Sequence, residues 1–130
     1  PLWSRGLGDV YKRQALYRFN AVRRMLDQHG LTTAMIADHA RGLQARFQTA
    51  IQTGGAGALA QAQILNPVEG AAPRARFLAL RHADAPRWKA ALQEMNAIAD
   101  VRDDVIRFGF SLYQSEDDVE KLIHACGRLK

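Results

Sequence analysis

Residues 97–110 read "AIADVRDDVIRFGF". Two short apolar-rich runs, "AIADVR" and "VIRFGF", flank an aspartate pair, Asp103-Asp104. Aspartate favours turns because its side chain bonds the nearby backbone, so the stretch predicts a β-hairpin turning near residues 102–104. The hairpin decides the fold class, because the elements on either side need a sheet to pack on. Upstream, "ARFLALRH" at 75–82 alternates imperfectly: Phe77, Ala79 and Arg81 fall on one side, and Arg76, Leu78, Leu80 and His82 on the other. This predicts a strand. Between it and the hairpin, Trp88, Leu92 and Met95 repeat at helical spacing behind Asp84, a candidate cap, and Pro86, which suits a first turn. Downstream, Ser115 and Asp118 have capping-box spacing, and Glu116 and Asp117 fill a first turn that favours anions. Val119, Leu122, Ile123 and Cys126 form the buried stripe of a last helix.

The N-terminal half reads as helical. Ala15, Phe19, Val22 and Leu26 make one face of a helix over 15–29, and Gly30 is its stop. Thr32 or Thr33 can cap a second helix, with Ile36, Ala40, Leu43, Phe47 and Ala50 on one face and Gly54, Gly55 and Gly57 at its end. Residues 54–74 are rich in Gly, Ala and Pro and predict a loop with a short strand around Gln63–Leu65. The expected fold is α+β: a small, mainly antiparallel sheet of about three strands with helices packed on one face, preceded by a helix pair.

Composition narrows the function. With 130 residues and 48% hydrophobic side chains the chain can bury one modest core. No apolar stretch approaches a membrane span, so no membrane partner is expected. Cys126, the single cysteine, can form no internal disulfide and sits on an apolar stripe. It is expected to be a buried core thiol in a cytoplasmic protein. Residues 1–14, "PLWSRGLGDVYKRQ", place Arg5, Lys12 and Arg13 against Asp9 and show no periodicity. The stretch "SRGLGDVYKRQ" at 4–14 also matches one reading frame of a widely used transposon-based sequencing adapter. Residues 1–14 are therefore expected to be a non-native, adapter-derived segment joined to a truncated gene, against the alternative of a natural basic tail. Residues 15–130 would be the native part. Without that segment the chain is only mildly basic, with no run of interleaved aromatics and basic residues, so nucleic acid is not an expected partner.

Candidate chemistry is sparse. The histidines, His29, His39, His82 and His124, lack metal-ligand spacing. Glycines 54, 55 and 57 lack the lysine–serine/threonine pair of a phosphate loop. The aspartates at 103–104 and the acids at 116–118 are accounted for by a turn and a helix start, and no lysine looks like a desolvated Schiff-base amine. No catalytic or metal-binding residue is assigned. Arg107 stands out: its guanidinium could clamp a carboxylate through two parallel bonds. The plain alternative is an exposed edge-strand arginine paired with Asp103 or Asp104.

The order of several short motifs adds to this. Phe77-Leu78, Asp100-Val101-Arg102, Ile106-Arg107-Phe108, Leu112-Tyr113 and Asp118-Val119 succeed one another at the spacing seen in one enzyme family. The chain resembles the C-terminal domain of the class V aminotransferases, fold type I pyridoxal-phosphate enzymes, and is most similar to their kynureninase-like branch. His39 and Leu43 on the second helix also fit, and the likeness spans nearly all of 15–127. It implies that Arg107 binds the α-carboxylate of an amino-acid substrate. It also implies that pyridoxal 5'-phosphate, the Schiff-base lysine and most phosphate contacts belong to a large domain absent here. The parent would be a homodimeric aminotransferase or kynureninase-like lyase or hydrolase, and this piece would be inactive alone. Ala75 and Ala99 depart from the family's usual glycine and threonine. A stand-alone α+β ligand-binding or interaction module is the competing reading, and a weak nucleic-acid binder a third.

Overall fold

The computed structural model describes residues 2–70 and 74–130, with side chains described from residue 10. The chain divides into two compact units, Pro1–Met35 and Ile36–Lys130.

In the first unit, helix α1 runs Leu2–Gln28. The expected start at residue 15 is thus wrong for the backbone. Once a helix is nucleated each added residue gains a hydrogen bond, so it propagates without an apolar face; Val10 and Tyr11 in the added turns are exposed. The helix ends as predicted at Gly30, whose φ of +66° is left-handed. Leu31 N–H donates to Leu26 O at 2.9 Å and Gly30 N–H to Asp27 O at 3.0 Å, the paired bonds of a Schellman stop. Thr32 Oγ1 then accepts from Met35 N–H at 3.2 Å, capping helix α2, Thr33–Gln52.

The second unit holds the sheet. Its strands are β1 (Gln63–Ile64), β2 (Phe77–Arg81), β3 (Asp100–Arg102) and β4 (Val105–Gly109), all antiparallel, in the order β1-β2-β4-β3. Four strands therefore stand where about three were expected. The extra pairing comes from the short β1, continued by a side chain. Asn66 Nδ2 donates to Phe77 O and its Oδ1 accepts from Ala79 N–H, both at 2.8 Å, so an amide imitates one more ladder step.

The hairpin turns where predicted. Arg102 pairs with Val105, leaving a two-residue loop, and Asp103 takes φ +51°. Such tight loops need positive φ, which aspartate tolerates better than most side chains.

Alternation along the strands separates two faces. Leu78, Leu80, Ile106 and Phe108 are buried and join Phe47 of α2, with ring centroids of Phe47 and Phe108 5.0 Å apart. Trp88 and Leu92 of α3 (Ala85–Glu94) and Val119 and Cys126 of α4 (Glu116–Cys126) complete this cluster. Burial pushes the Cys126 thiol up to about 12, in keeping with an inert core cysteine. On the opposite face lie Phe77, Ala79, Arg81, Val105, Arg107 and Gly109.

Both helix starts were read from sequence, with different outcomes. Ser115 and Asp118 form the expected capping box at α4. Asp84 occupies the cap position of α3 but makes no capping bond, because its carboxylate pairs with Arg87 at 2.9 Å instead.

Candidate functional site

Arg107 is the third residue of β4. The strand lies between β2 and β3, so Arg107 is not on an edge. Nor is its partner Asp103 or Asp104. Asp104 lies 3.5 Å from Arg81, whereas Arg107 Nη2 donates to Asp100 Oδ2. The turn register dictates this, since closing the loop between Arg102 and Val105 sets Asp100 directly opposite Arg107. Directly opposed side chains share a face of the sheet and touch.

The guanidinium is fixed from a second side. Its Cζ lies 5.7 Å from the centre of the Phe77 ring, contributed by β2. A cation over an aromatic face at this range gains about 0.5–1 kcal/mol at an exposed site. Arg107 is left half-buried, its side chain 33% exposed.

Around these residues is an open groove of about 730 Å³, lined by Phe77, Lys89, Gln93, Ile98, Asp100 and Arg107 among others. Gly109 and Ala99 complete the lining. Gly109 ends β4 without positive φ, and an added Cβ there would meet nothing within 4 Å. Its lack of a side chain keeps the groove open beside Phe77.

Two cations against one carboxylate line this groove. The Arg107 hydrogen bond, against a smaller effect of burial, holds Asp100 below the usual carboxylate range, and the charges of Arg107 and Arg102 act the same way. The arrangement can receive an anion at Arg107 over an aromatic floor.

The loop behind the groove is tied down. Gln114 Oε1 accepts from Ser111 N–H at 2.6 Å, and Gln114 Nε2 donates to Gly109 O at 3.2 Å. His39 Nε2 donates to Gln114 O at 2.8 Å. Of the motif residues, Phe77, Asp100 and Arg107 meet at the groove, while Leu43, Leu78, Ile106, Phe108 and Val119 are core. Leu112 and Tyr113 lie exposed on the loop.

Sequence reasoning missed three supports. Gln44 and Gln48 of α2 are buried, and their amides hold the chain ahead of β2: Gln44 Nε2 donates to Ala75 O at 3.0 Å and Gln48 Oε1 accepts from Val68 N–H at 2.6 Å. His82 stacks on Trp88 at 4.4 Å. A glutamine at a core-facing helical position is the one signal that would have found the first two.

The cofactor implied by the resemblance can be tested against these residues. Schiff-base chemistry needs an enclosed lysine, and Lys12, Lys89, Lys121 and Lys130 are all exposed. The described residues therefore offer no lysine enclosed for a Schiff base. Nor, among the described residues, do three or more potential ligands cluster for a metal, and no described helix is long and apolar enough to cross a membrane.

No curated protein and no solved structure matches the chain significantly. One family does: the kynureninase C-terminal domain, whose model matches residues 36–126. That span starts at the first residue of the second unit and ends at the last of α4, taking in the sheet, the groove and Arg107. On a match over well more than half its length, the chain belongs to the kynureninase C-terminal domain family.

Proposed function

We propose that this domain holds the carboxylate of an amino-acid substrate through Arg107, as the C-terminal part of a kynureninase-like, pyridoxal-phosphate-dependent enzyme. The observation carrying the reading is the setting of Arg107 in the groove. It is an interior-strand arginine, braced by Asp100 and Phe77, facing an open space with little else that is charged. An arginine kept only for sheet stability would need no open groove before it.

Each part has a distinct task. Asp100 and Phe77 limit the motion of the guanidinium, so less rotamer freedom is lost when a carboxylate binds. Gly109 leaves room for the ligand. The loop fastened by Gln114 and His39 keeps the end of β4 in place. The cofactor supplies carbanion stabilisation when bound, and in this reading a different part of a homodimeric enzyme holds it.

The test is kinetic. In an enzyme whose remaining parts enclose this groove, Arg107→Ala should raise KM for the amino-acid substrate by an amount equivalent to about 2–4 kcal/mol, the cost of removing one partner of an enclosed charge pair. An unchanged KM would remove Arg107 from the site.

A further inference from the structure

We infer that helix α1 is an interaction surface for a second copy of this chain, the two helices packing antiparallel along the stripe Ala15, Phe19, Val22 and Leu26. This pairing uses α1 alone and is independent of the groove at Arg107.

The stripe has the spacing of a helix–helix seam. Its intervals are four, three and four residues, so the four side chains share one face of the helix. Leu16 and Met25 flank it and widen the apolar face. Helix α2 carries the same kind of stripe, and there Ile36, Ala40, Leu43 and Phe47 are buried. On α1 the stripe is uncovered: Leu16, Phe19, Val22 and Met25 are between 47% and 60% exposed. It runs on into an open groove of about 640 Å³ whose lining includes Phe19, Val22, Leu26 and Leu31. A contiguous apolar face of this kind marks a contact surface.

The charges select the occupant and its direction. Arg18 and Arg23 border the stripe on either side, while Tyr17 and Arg24 lie on the far face. In a parallel pair each flanking residue meets the partner's residue five positions on, which would set Arg18 against the partner's Arg23 twice over. Turned antiparallel, Phe19 lies over the partner's Val22, and the small Ala15 over the partner's Leu26. Arg18 then borders the partner's Met25, and Arg23 the partner's Leu16. Each arginine lays its alkyl stem on an apolar neighbour and keeps its head in water. No like charges are opposed along the seam. A patch that meets itself in this way is self-complementary about a two-fold axis and closes at a dimer. Covering the exposed parts of these side chains on both copies removes roughly 1,000 Å² from water, the size at which specific interfaces begin. The dimer is therefore a weak one that forms and dissociates with concentration.

The experiment is sedimentation equilibrium of the full chain from about 1 to 300 μM. The mass should rise with concentration from 14.5 kDa towards twice that value. Phe19→Glu puts a charge in the middle of the seam and should weaken the dimer about tenfold or more. Tyr17→Glu makes the same kind of change on the far face and should leave the dimer within about twofold. Because Phe19 and Tyr17 are both exposed, both variants should keep the circular dichroism of wild type at monomer concentrations. Arg18→Glu reads the direction. In a parallel pair it would turn two repulsions into attractions and tighten the dimer severalfold, whereas in the antiparallel pair it meets Met25 and gives no tightening. A wild type that stays monomeric at every concentration overturns the surface. So does a Phe19→Glu chain that dimerises as well as wild type, or a Tyr17→Glu chain that dissociates as fully as Phe19→Glu. Tightening by Arg18→Glu overturns the antiparallel pairing.

Discussion

Gly109 shows how one missing side chain shapes the site. It lies on the same face as Arg107, opposite Phe77, and a Cβ there would touch nothing within 4 Å. Valine fits a strand better than glycine, which loses more backbone entropy on folding. Gly109→Val should therefore keep or slightly raise the melting temperature while weakening carboxylate binding in the groove, read by calorimetry and ligand titration on the same sample. Asp103 is the opposite case. Its φ of +51° is one that a β-branched residue adopts only with strain. Asp103→Val should cost about 1–2 kcal/mol in urea unfolding. The turn at Asp103 and the prominence of Arg107 were both legible in the sequence. The partner of Arg107 was within reach too, since a two-residue loop closing at Arg102 and Val105 sets Asp100 opposite it. Proximity in sequence pointed instead to Asp103 and Asp104, but in a hairpin the register decides which side chains meet.

The helix starts and one close contact govern the elements. Ser115 and Asp118 satisfy two of the free N–H groups at the start of α4. Ser115→Ala should cost about 1 kcal/mol, measured by denaturant unfolding. The same box makes stability depend on pH. The hydrogen bonds from the Ser115 backbone and side chain hold Asp118 below its ordinary value of 3.8. A depressed carboxylate stabilises fully above its unfolded value, and that contribution is lost as pH falls through the lower folded one. The stability gap between wild type and Asp118→Asn should thus be largest at neutral pH and shrink below about pH 4. Gly57, in the short 3-10 turn Gly57–Gln61, has φ +59°, and a Cβ on it would come within 2.8 Å of Cys126 O at the end of α4. Helix periodicity made α2, α3 and α4 readable, helped by true caps at α2 and α4. The role of Gly57 was not, because only the approach of a distant backbone requires glycine there. Asp84 was misread because Arg87, one turn on, offered its carboxylate a charged partner in place of the backbone.

Across the second unit as a whole, one core joins every element that builds the groove. Phe47 of α2 touches both Phe108 and Phe110, which bracket the last residue of β4. Phe47→Ala should cost about 3–5 kcal/mol and weaken the groove along with the fold, seen as parallel loss of circular dichroism and ligand binding. The α+β class followed from the alternation of helical and strand patterns. The strand order did not, since the pairing of β2 with β4 joins residues about thirty apart and leaves no local mark. That pairing moves Arg107 from an edge to the interior and places Phe77 beneath it. The central claim is that Arg107, among the arginines of this sheet face, is the one that receives a carboxylate. The most direct measurement follows the side-chain Nε–H signals of Arg81, Arg102 and Arg107 by NMR as propionate is added. The account predicts a saturable shift confined to Arg107; equal, unsaturated drift of all three, or no movement of Arg107, would contradict it.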